Sequence, residues 1–299
     1  MYDLIIIGMG LSGISAAIYA KEAGLSVLML DGSAPGGTLN KISTISNYPG
    51  IKEISGPDFA MNLLEEVNEY QIPYKLEEVT DVILEKIKTI KTKNNVYQSK
   101  YLLIATGRIP KPLGLKNEEK LVGRGISTCA LCDGHFYKGK DIAVVGGGES
   151  ALSESIYLAK LAHKVYVIHR RDSFRGKEDT ISKVKNIPNI ELILNDEIVE
   201  LKTVEEKLTK VKLKSGKELN VEGLFIYIGS TPNTNFLKNT NLKMEDGYIL
   251  INAKQETNIA GVYASGDVTK KEIYQLITAA SEGATASIHI NEANNQKSN

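Results

Sequence analysis

The chain has 299 residues, with 36 basic and 36 acidic side chains, two cysteines and 26 glycines. At about 100–200 residues per domain, this length predicts two domains. A composition of 42% hydrophobic and 24% charged residues excludes wholesale disorder, and zero net charge argues against nucleic acid as the main partner. No apolar run approaches the roughly 18–20 residues that span a bilayer. With no secretory leader before the first strand, we expect a cytoplasmic protein and no membrane partner.

The first segment has the pattern of a strand, a glycine turn, a helix and a second strand. An apolar strand over 3–7 runs into Gly8-Met9-Gly10-Leu11-Ser12-Gly13, and a helix over 14–23 precedes a strand over 26–30. In this G-x-G-x-x-G context, the glycines permit the turn, admit a pyrophosphate and let the helix pack on the strand. Asp31 follows and is placed to accept hydrogen bonds from a ribose diol. The pattern predicts a dinucleotide site; an ordinary strand–helix turn is the alternative.

The same order recurs in the middle of the chain. A strand over 141–145 leads into Gly146-Gly147-Gly148-Glu149-Ser150-Ala151, followed by a helix to Leu161 and a strand over 164–168. No acid follows this strand; the run 169–175 contains His169 and three arginines. Guanidinium groups bind a phosphate bidentately, so the run favours a 2′-phosphate over a free diol. This segment predicts a second dinucleotide site, with a solvated basic turn as the alternative.

The remaining chain is organised by weaker signals. Two further turns, at 105–107 and 265–267, each connect a strand to a glycine. They either supply backbone N–H donors to a large cofactor or are ordinary turns. Pro57-Asp58 opens an amphipathic helix. Alternating segments over 79–103, 191–201 and 207–226 predict antiparallel ribbons, with turns at Asn94-Asn95 and Ser215-Gly216. Proline-containing segments near 110–114 and 231–238 predict linkers, and a polar tail over 291–299 is expected to fray.

Cys129 and Cys132 lie just before the second dinucleotide segment, and three interpretations compete. A structural zinc site needs four ligands, and His135 would supply only a third. An inert buried pair is the second interpretation. The third is a redox pair, because a two-residue spacer allows a reducible disulfide, and Asp133 is placed to give a proton to a departing sulfur. Flavin accepts a hydride and reduces sulfur, so two dinucleotide sites and one such pair suggest a route from NADPH through FAD.

The chain resembles the low-molecular-weight thioredoxin reductases over essentially its whole length. The residues that carry the resemblance are Cys129–Gly134 with Phe136–Lys140, the Gly146–Ala151 loop, the His169–Arg175 run, and the turns Ala105–Gly107 and Gly266–Val268. The resemblance implies an α/β fold with two Rossmann-like dinucleotide-binding domains, for FAD and NADPH, of the three-layer ββα sandwich type. Residues 1–112 and 239–299 would form a discontinuous FAD domain, and residues 113–238 an NADPH domain carrying the cysteine pair. A homodimer that alternates between two domain orientations is also implied.

The resemblance further implies the reaction. Electrons would pass from NADPH via FAD to a Cys129–Cys132 disulfide and on to thioredoxin or a thioredoxin-like protein. Cys132 would receive electrons from the flavin, Cys129 would attack the partner disulfide, and Asp133 would donate the proton. One alternative keeps this chemistry but takes electrons from ferredoxin or another non-NADPH donor. The other is a non-catalytic nucleotide-binding or zinc-stapled protein.

Cofactor contacts follow from the same resemblance, and no metal site is expected. The FAD residues would be Gly8, Gly10, Ser12, Gly13, Asp31, Gly36, Gly37, Leu39, Asn47, Val79, Ala105, Thr106, Gly107, Gly266, Asp267, Gln275 and Leu276. The NADPH residues would be Gly148, Glu149, Ser150, Ala151, His169, Arg170, Arg171 and Arg175. The chain departs from the family pattern in the flavin segments at Thr38, Ser46, Arg108, Tyr274 and Ser281. Glu149 also replaces a more usual aspartate or asparagine.

Overall fold

The structure, a computed structural model, describes residues 1–42 and 44–296 and divides into two compact units. Unit 1 comprises residues 1–109 together with the chain from residue 232 onward, and unit 2 comprises residues 110–231. The expected boundaries were 112/113 and 238/239. Residues 232–238 join unit 1 because Leu237 is fully buried there, in a cluster with Val79 and Val82. The assignment of one cofactor to each unit stays a prediction.

The regular elements are as follows. The strands are β1 (Tyr2–Ile7), β2 (Val27–Asp31), β3 (Tyr74–Leu76), β4 (Val79–Leu84), β5 (Lys88–Thr92), β6 (Val96–Ile104), β7 (Arg108–Pro110), β8 (Ile126–Ser127), β9 (Asp141–Val145), β10 (Lys164–His169), β11 (Ile190–Leu194), β12 (Ile198–Val204), β13 (Lys207–Leu213), β14 (Glu218–Asn220), β15 (Gly223–Ile226), β16 (Ser230–Pro232), β17 (Met244–Glu245), β18 (Tyr248–Ile249) and β19 (Val262–Ala264). The α-helices are α1 (Leu11–Glu22), α2 (Gly56–Glu69), α3 (Glu118–Leu121), α4 (Ala130–Asp133), α5 (Glu149–Ala159), α6 (Glu178–Lys185) and α7 (Leu276–Gln296).

Unit 1 is built on a seven-stranded sheet in the order β3-β2-β1-β6-β5-β4, with β19 also paired to β6. Strands β1, β2, β3, β6 and β19 run parallel, and β4, β5 and β6 form the predicted antiparallel ribbon. Ile5 pairs with Leu28 on one side and Leu102 on the other, which fits an apolar strand buried on both faces. The carboxyl ends of the parallel strands therefore meet at one edge, where the first glycine turn lies.

The core of unit 1 separates into two clusters on opposite faces of this sheet. Leu4 and Ile6 pack with residues of α1, α2 and α7. Ile5 and Ile7 pack with β4, β5 and the segments around Leu242 and Ile249. Because side chains alternate across a strand, one apolar strand supplies both cores. A helical layer, a sheet and a second β-rich layer result, as predicted for the three-layer ββα type.

Unit 2 carries a five-stranded parallel sheet in the order β11-β10-β9-β15-β8 and a three-stranded antiparallel ribbon, β12-β13-β14. The prediction of antiparallel ribbons over 191–201 and 207–226 was wrong at two places. Strand β11 pairs in parallel with β10, and β15 pairs in parallel with β9 and β8. Both strands are short, and their alternation of apolar and polar residues is the same in a parallel sheet and in an antiparallel ribbon. The sequence pattern therefore does not reveal which strands they pair with.

The two linkers between the units pair with each other. Strands β7 and β16 form a two-stranded ribbon. Just beyond it, Glu118 is buried, and its carboxylate accepts hydrogen bonds from the N–H groups of Leu113, Gly114 and Leu115 at 2.7–3.1 Å. A carboxylate that takes three backbone donors holds this stretch of chain in one conformation.

The last helix, α7, runs from Leu276 to Gln296. The expectation of a frayed tail from residue 291 was therefore wrong for 291–296, and residues 297–299 lie outside the described residues. Helix α7 packs closely on α1, since a Cβ at Gly283 would overlap the carbonyl oxygen of Ser12. Within the described ranges, no helix combines the length and apolar character needed to cross a membrane.

Candidate dinucleotide sites and redox disulfide

The first glycine loop connects β1 to α1 at the carboxyl edge of the unit 1 sheet. Gly8 has φ +111°, a conformation that only glycine adopts readily. A Cβ at Gly13 would overlap the carbonyl oxygen of Gly8, whereas a Cβ at Gly10 would meet no atom within 4 Å. Two of these glycines thus serve close packing of the chain itself. The open space at Gly10 fits the approach of a phosphate group to the backbone.

Asp31, at the end of β2, already has partners inside the protein. Its Oδ2 accepts a hydrogen bond from Met9 N at 2.6 Å, and its Oδ1 accepts from the N–H and hydroxyl of Ser33 at 2.8 and 2.9 Å. Since a carboxylate offers about four acceptor positions, capacity remains for a ribose hydroxyl. The first role that the structure gives Asp31, however, is to tie β2 to the glycine loop.

A cavity of about 430 Å³ lies against the loop 46–52, and a second, of about 270 Å³, opens at the first glycine loop. Eleven predicted FAD residues line the second cavity: Gly10, Ser12, Gly36, Leu39, Asn47, Ala105, Gly107, Gly266, Asp267, Gln275 and Leu276. Among the described residues, the other predicted FAD residues lie outside this lining: Gly8, Gly13, Asp31, Gly37, Val79 and Thr106. The structure therefore brings together segments that are more than 200 residues apart in sequence, which is what a large cofactor needs.

Asp267 is the carboxylate in the wall of this cavity. Burial raises the pKa of Asp267, although the positive charges of Lys271 and Arg108 work in the opposite direction. Lys271 Nζ lies 3.7 Å from Asp267 Oδ1 but only 2.7 Å from Glu282 Oε2. The positive charge of Lys271 is therefore shared between the two carboxylates. An acceptor that is partly withdrawn from water is suited to bind a hydroxyl group of a ligand.

Arg108 and Tyr274, which are two of the departures from the family pattern, contact each other. The Arg108 guanidinium carbon lies 4.6 Å from the centre of the Tyr274 ring and 5.6 Å from that of Tyr248. Such cation–π contacts hold a guanidinium in place. Tyr274 also lines the cavity, so these departures cluster in space. Tyr248 gave no signal in the sequence.

The second glycine loop repeats the geometry of the first in unit 2. Gly146 has φ +149°, and a Cβ at Gly147 would overlap the ring of His169. A Cβ at Gly148 would meet nothing within 4 Å, and α5 begins at the next residue. The open Gly148 and the free N–H groups at the start of α5 fit a pyrophosphate.

The arginine run lies beside this loop. Arg175 N donates a hydrogen bond of 2.7 Å to the carbonyl oxygen of Gly147, and the side chains of Arg170, Arg171 and Arg175 are exposed. His169 is buried and stacks on Phe174, with ring centres 5.6 Å apart. Burial, followed by the charge of Arg175, lowers the pKa of His169. The His169 ring thus packs against Gly147 of the loop, and the exposed arginine side chains are available to a ligand.

Glu149 has hydrogen-bond partners inside the protein. Its carboxylate accepts hydrogen bonds from Lys177 N and from the Thr180 hydroxyl, both at 2.7 Å. Partial burial opposes ionisation, but these hydrogen bonds outweigh it and lower the pKa of Glu149. The carboxylate therefore connects the start of α5 to the start of α6, and direct contact with NADPH stays a prediction. Ser150 and Ala151 lie in the first turn of α5.

Cys129 and Cys132 form a disulfide bond across the short helix α4. Cys129 is 6% exposed, whereas Cys132 is exposed. Cys132 N lies 3.1 Å from Cys129 Sγ and donates a hydrogen bond to it. Ala130 N donates to the Tyr227 hydroxyl at 2.9 Å, a support that the sequence did not reveal. In the described part of the chain, no three His, Cys, Asp or Glu side chains are grouped to hold a metal ion.

Asp133 closes α4 and lies next to the disulfide. Its backbone N–H donates to the carbonyl oxygen of Cys129 at 3.1 Å. The charge of the Asp133 carboxylate affects two tyrosines. Burial and then this charge raise the pKa of Tyr137. Burial, the charge of Glu154 and the charge of Asp133 raise the pKa of Tyr227. The predicted roles of Cys129, Cys132 and Asp133 stay predictions, and an attack by Cys129 on a partner requires its sulfur to become accessible.

The chain is similar to known proteins over nearly its whole length. The sequence pattern of the pyridine nucleotide-disulphide oxidoreductase family matches residues 2–284. The thioredoxin reductase of Listeria innocua is 37% identical over 292 residues, which cover 96% of this chain and 92% of that protein. The crystal structure of Lactococcus lactis thioredoxin reductase in its FR conformation has a TM-score of 0.91 at 33% identity and covers 98% of both chains.

A ferredoxin-flavin thioredoxin reductase from Clostridium acetobutylicum is also similar, with 34% identity and a TM-score of 0.55, covering 99% of this chain and 98% of that one. The similarities confirm the predicted α/β fold with two Rossmann-like domains and the predicted class of enzyme, an FAD-dependent thioredoxin-disulfide reductase. They also confirm the resemblance to the low-molecular-weight thioredoxin reductases. The chain therefore belongs to the pyridine nucleotide-disulphide oxidoreductase family.

Proposed function

We propose that the protein is an NADPH-dependent, FAD-containing reductase of thioredoxin or a thioredoxin-like protein. The observation that carries this proposal is the Cys129–Cys132 disulfide, which lies in the same compact unit as the second glycine loop and the arginine run. A reducible sulfur pair in a dinucleotide fold is the arrangement that electron transfer from a nicotinamide to a disulfide requires. The thioredoxin reductases similar to this chain over nearly its full length support the same assignment.

FAD would be held by unit 1. When bound, it supplies the step that links a two-electron hydride donor to a disulfide. The residues fit such a group, because the space at Gly10 is open and Asp267 presents a carboxylate to the cavity. Asp31 holds the glycine loop in place through Met9. Unit 1 would thus bind and orient the cofactor and exclude water from it.

NADPH would be held by unit 2. Gly148 leaves room for the pyrophosphate at the start of α5. Arg170 and Arg171 are exposed beside the loop and would bind the 2′-phosphate bidentately. We assign NADPH rather than ferredoxin as the donor because the chain keeps both the glycine loop and the arginine run.

The cysteine pair would carry out the exchange with the partner. The hydrogen bond from Cys132 N to Cys129 Sγ favours negative charge on that sulfur once the disulfide is reduced. The Cys129 thiolate would attack the partner disulfide, which forms a mixed disulfide and releases one partner thiolate. Asp133 would give that thiolate its proton. Cys132 would then displace the second partner sulfur and restore the Cys129–Cys132 bond.

An anaerobic titration of the purified protein with NADPH tests the proposal. We expect NADPH to bleach a flavin spectrum, and the Cys129→Ser variant to lose reduction of thioredoxin. The exposed neighbour His135 gives the matched control, since His135→Ala should keep the activity. Retained turnover in Cys129→Ser, or a colourless protein that loses bound zinc in His135→Ala, would refute the assignment.

We also propose that the protein acts as a homodimer in the cytoplasm. The family resemblance supports the dimer, and the presence of only two cysteines fits a reducing compartment. Light scattering of the purified protein should give twice the mass of the chain at micromolar concentration. A monomeric mass with full thioredoxin reduction would contradict the dimer.

A further inference from the structure

Unit 2 contains a buried carboxyl group that the proposed reaction does not use. Glu154 lies in the middle of α5 and is 9% exposed. Its Oε2 is inaccessible to solvent and has no hydrogen-bond partner among the described residues. An unpartnered carboxylate in such a place is costly, so the group favours its neutral, protonated form. Consistent with this, burial raises the pKa of Glu154 to about 7.

The helix that carries Glu154, α5, packs against the short helix α4, which the redox disulfide spans. A Cβ at Gly134, next to Asp133, would lie 3.2 Å from Leu158 and 3.4 Å from Tyr157, so α5 and the end of α4 are in tight contact. Ala130, the neighbour of Cys129, is fully buried in the same apolar cluster as Leu158. The side chains between α5 and the cysteine segment are apolar, so a charge on the buried face of α5 is screened less than it would be in water.

Tyr227 connects the two elements. Its hydroxyl accepts the hydrogen bond from Ala130 N at 2.9 Å, one residue from Cys129. After burial, the charge of Glu154 is the largest influence on the pKa of Tyr227, which it raises. The Tyr227 hydroxyl thus interacts electrostatically with Glu154 and is hydrogen-bonded to the cysteine segment.

The elements packed against α5 carry other titratable or charged groups. They are Asp133 of α4, Tyr137 of the turn after it, Asp141 of β9, Lys164, Tyr166 and His169 of β10, and Glu178, Asp179, Lys183 and Lys185 of α6, besides Glu149 and Tyr157 of α5 itself. The adjacent strand β9 contributes apolar Ile142 and Val144. Burial is the cause of the raised Glu154 pKa, and none of these groups offsets it.

We propose that Glu154 is a positioning residue whose protonation is coupled, through Tyr227, to the redox state of the Cys129–Cys132 pair. The inference rests on the proposed function of that pair. Two electrons break the S–S bond and leave two sulfurs that together take up protons from solvent. Any negative charge that stays on a sulfur makes ionisation of Glu154 still less favourable, so the carboxyl holds a proton in the reduced protein that it loses in the oxidised one.

The test is the equilibrium of the holoenzyme with dithiothreitol between pH 5.5 and 8.5. The ratio of dithiol to disulfide is counted by mass after acid quenching and thiol alkylation. Above pH 7, the wild-type equilibrium constant should acquire an additional pH dependence of roughly three- to tenfold per pH unit, because up to one more proton is bound on reduction. Glu154→Gln should lose this dependence and should match the wild type below pH 6, where Glu154 is protonated in both states.

Glu178→Gln is the matched control, because it removes an exposed carboxylate of the same unit and should keep the wild-type pH dependence. A redox difference infrared spectrum should show a protonated-carboxyl band that is absent from both Glu154→Gln and Cys129→Ser. The same pH dependence in Glu154→Gln and wild type, or a band that persists in Glu154→Gln, would overturn the inference. Failure of the pair to open and close at all would instead refute the proposed function.

Discussion

The two glycine loops share their chain geometry and differ in what surrounds them. In each, the first glycine has a positive φ, a later glycine is packed against the protein, and one glycine faces open space. The differences lie at the end of the second strand, where Asp31 holds the first loop through its carboxylate and His169 supports the second with its ring. The helices also differ, since the buried face of α1 is formed by small and apolar residues and that of α5 includes Glu154.

The comparison shows which features serve the backbone turn and which serve the choice of ligand. The turn that approaches a phosphate is the same for any dinucleotide. The side chains after the second strand discriminate a diol from a phosphate. A buried carboxyl lies on only one of the two helices, the one in the unit that contains the redox pair, as expected from the coupling proposed above.

The largest expected effect tests the shared geometry. Gly13→Ala places a methyl group against the carbonyl oxygen of Gly8 and should destabilise unit 1 by at least about 3 kcal/mol, with loss of bound FAD. Gly10→Ala is the control, since its Cβ meets nothing; it should fold normally and bind FAD weakly. Denaturant titration and flavin absorbance measure both, and equal stability of the two variants would contradict the comparison.

The second effect tests the difference between the helices. The pKa of Glu154 is about 7 in the folded protein against a usual 4.5, so its contribution to stability is complete below pH 4.5 and is lost as pH rises to 7. Glu154→Gln should therefore gain about 2–3 kcal/mol relative to wild type between these pH values. Urea titrations at pH 4.5, 6 and 7.5 measure the gain. A difference that is independent of pH would contradict it.

The third effect tests the phosphate preference of the second loop. Arg170→Ala combined with Arg171→Ala should raise the KM for NADPH about 10- to 50-fold, with little change for NADH, because the lost contacts are to the 2′-phosphate. Arg124→Ala removes an exposed arginine of the same unit that pairs with Glu206 and should change neither. Equal effects on both nucleotides would show that the arginines do not discriminate.

The smallest effect concerns the first loop. Asp31→Asn keeps the shape of the side chain but weakens the hydrogen bond to Met9 N, and it should cost about 1 kcal/mol of stability. Ser33→Ala removes the hydroxyl group that donates to Asp31 Oδ1 and should cost less. If Asp31→Asn leaves stability unchanged but weakens FAD binding strongly, ribose contact is its main role.

Local sequence patterns predicted the parts of the fold that depend on short-range geometry. The strand over 141–145, both glycine turns, and the turns at Asn94-Asn95 and Ser215-Gly216 are where the patterns indicated. The cysteine spacing allowed a reducible disulfide as one of three interpretations, and the structure contains this bond. The strands β11 and β15 were assigned to the wrong sheets, because strand pairing is decided by long-range contacts that alternation does not encode.

The site residues that were missed are those whose role depends on tertiary environment. Tyr227 and Tyr248 acquire partners only when distant segments meet. Glu154 did have a signal: it lies three residues after buried Ala151 and four before buried Leu158, on the stripe of α5 that faces the core. Glu149 has a sequence position typical of ligand contact, yet its carboxylate is occupied by Lys177 and Thr180.

The pairing of the linkers β7 and β16 has a consequence for how such a chain can be altered. Since paired strands lie only about 5 Å apart, the chain leaves unit 1 and returns to it at neighbouring points. Residues 110–231 therefore form a cassette whose two ends meet, and a short connector could replace the whole of it without stretching the remaining strands. Exchange of this cassette between related proteins, in evolution or in the laboratory, would leave the sheet order β3-β2-β1-β6 undisturbed.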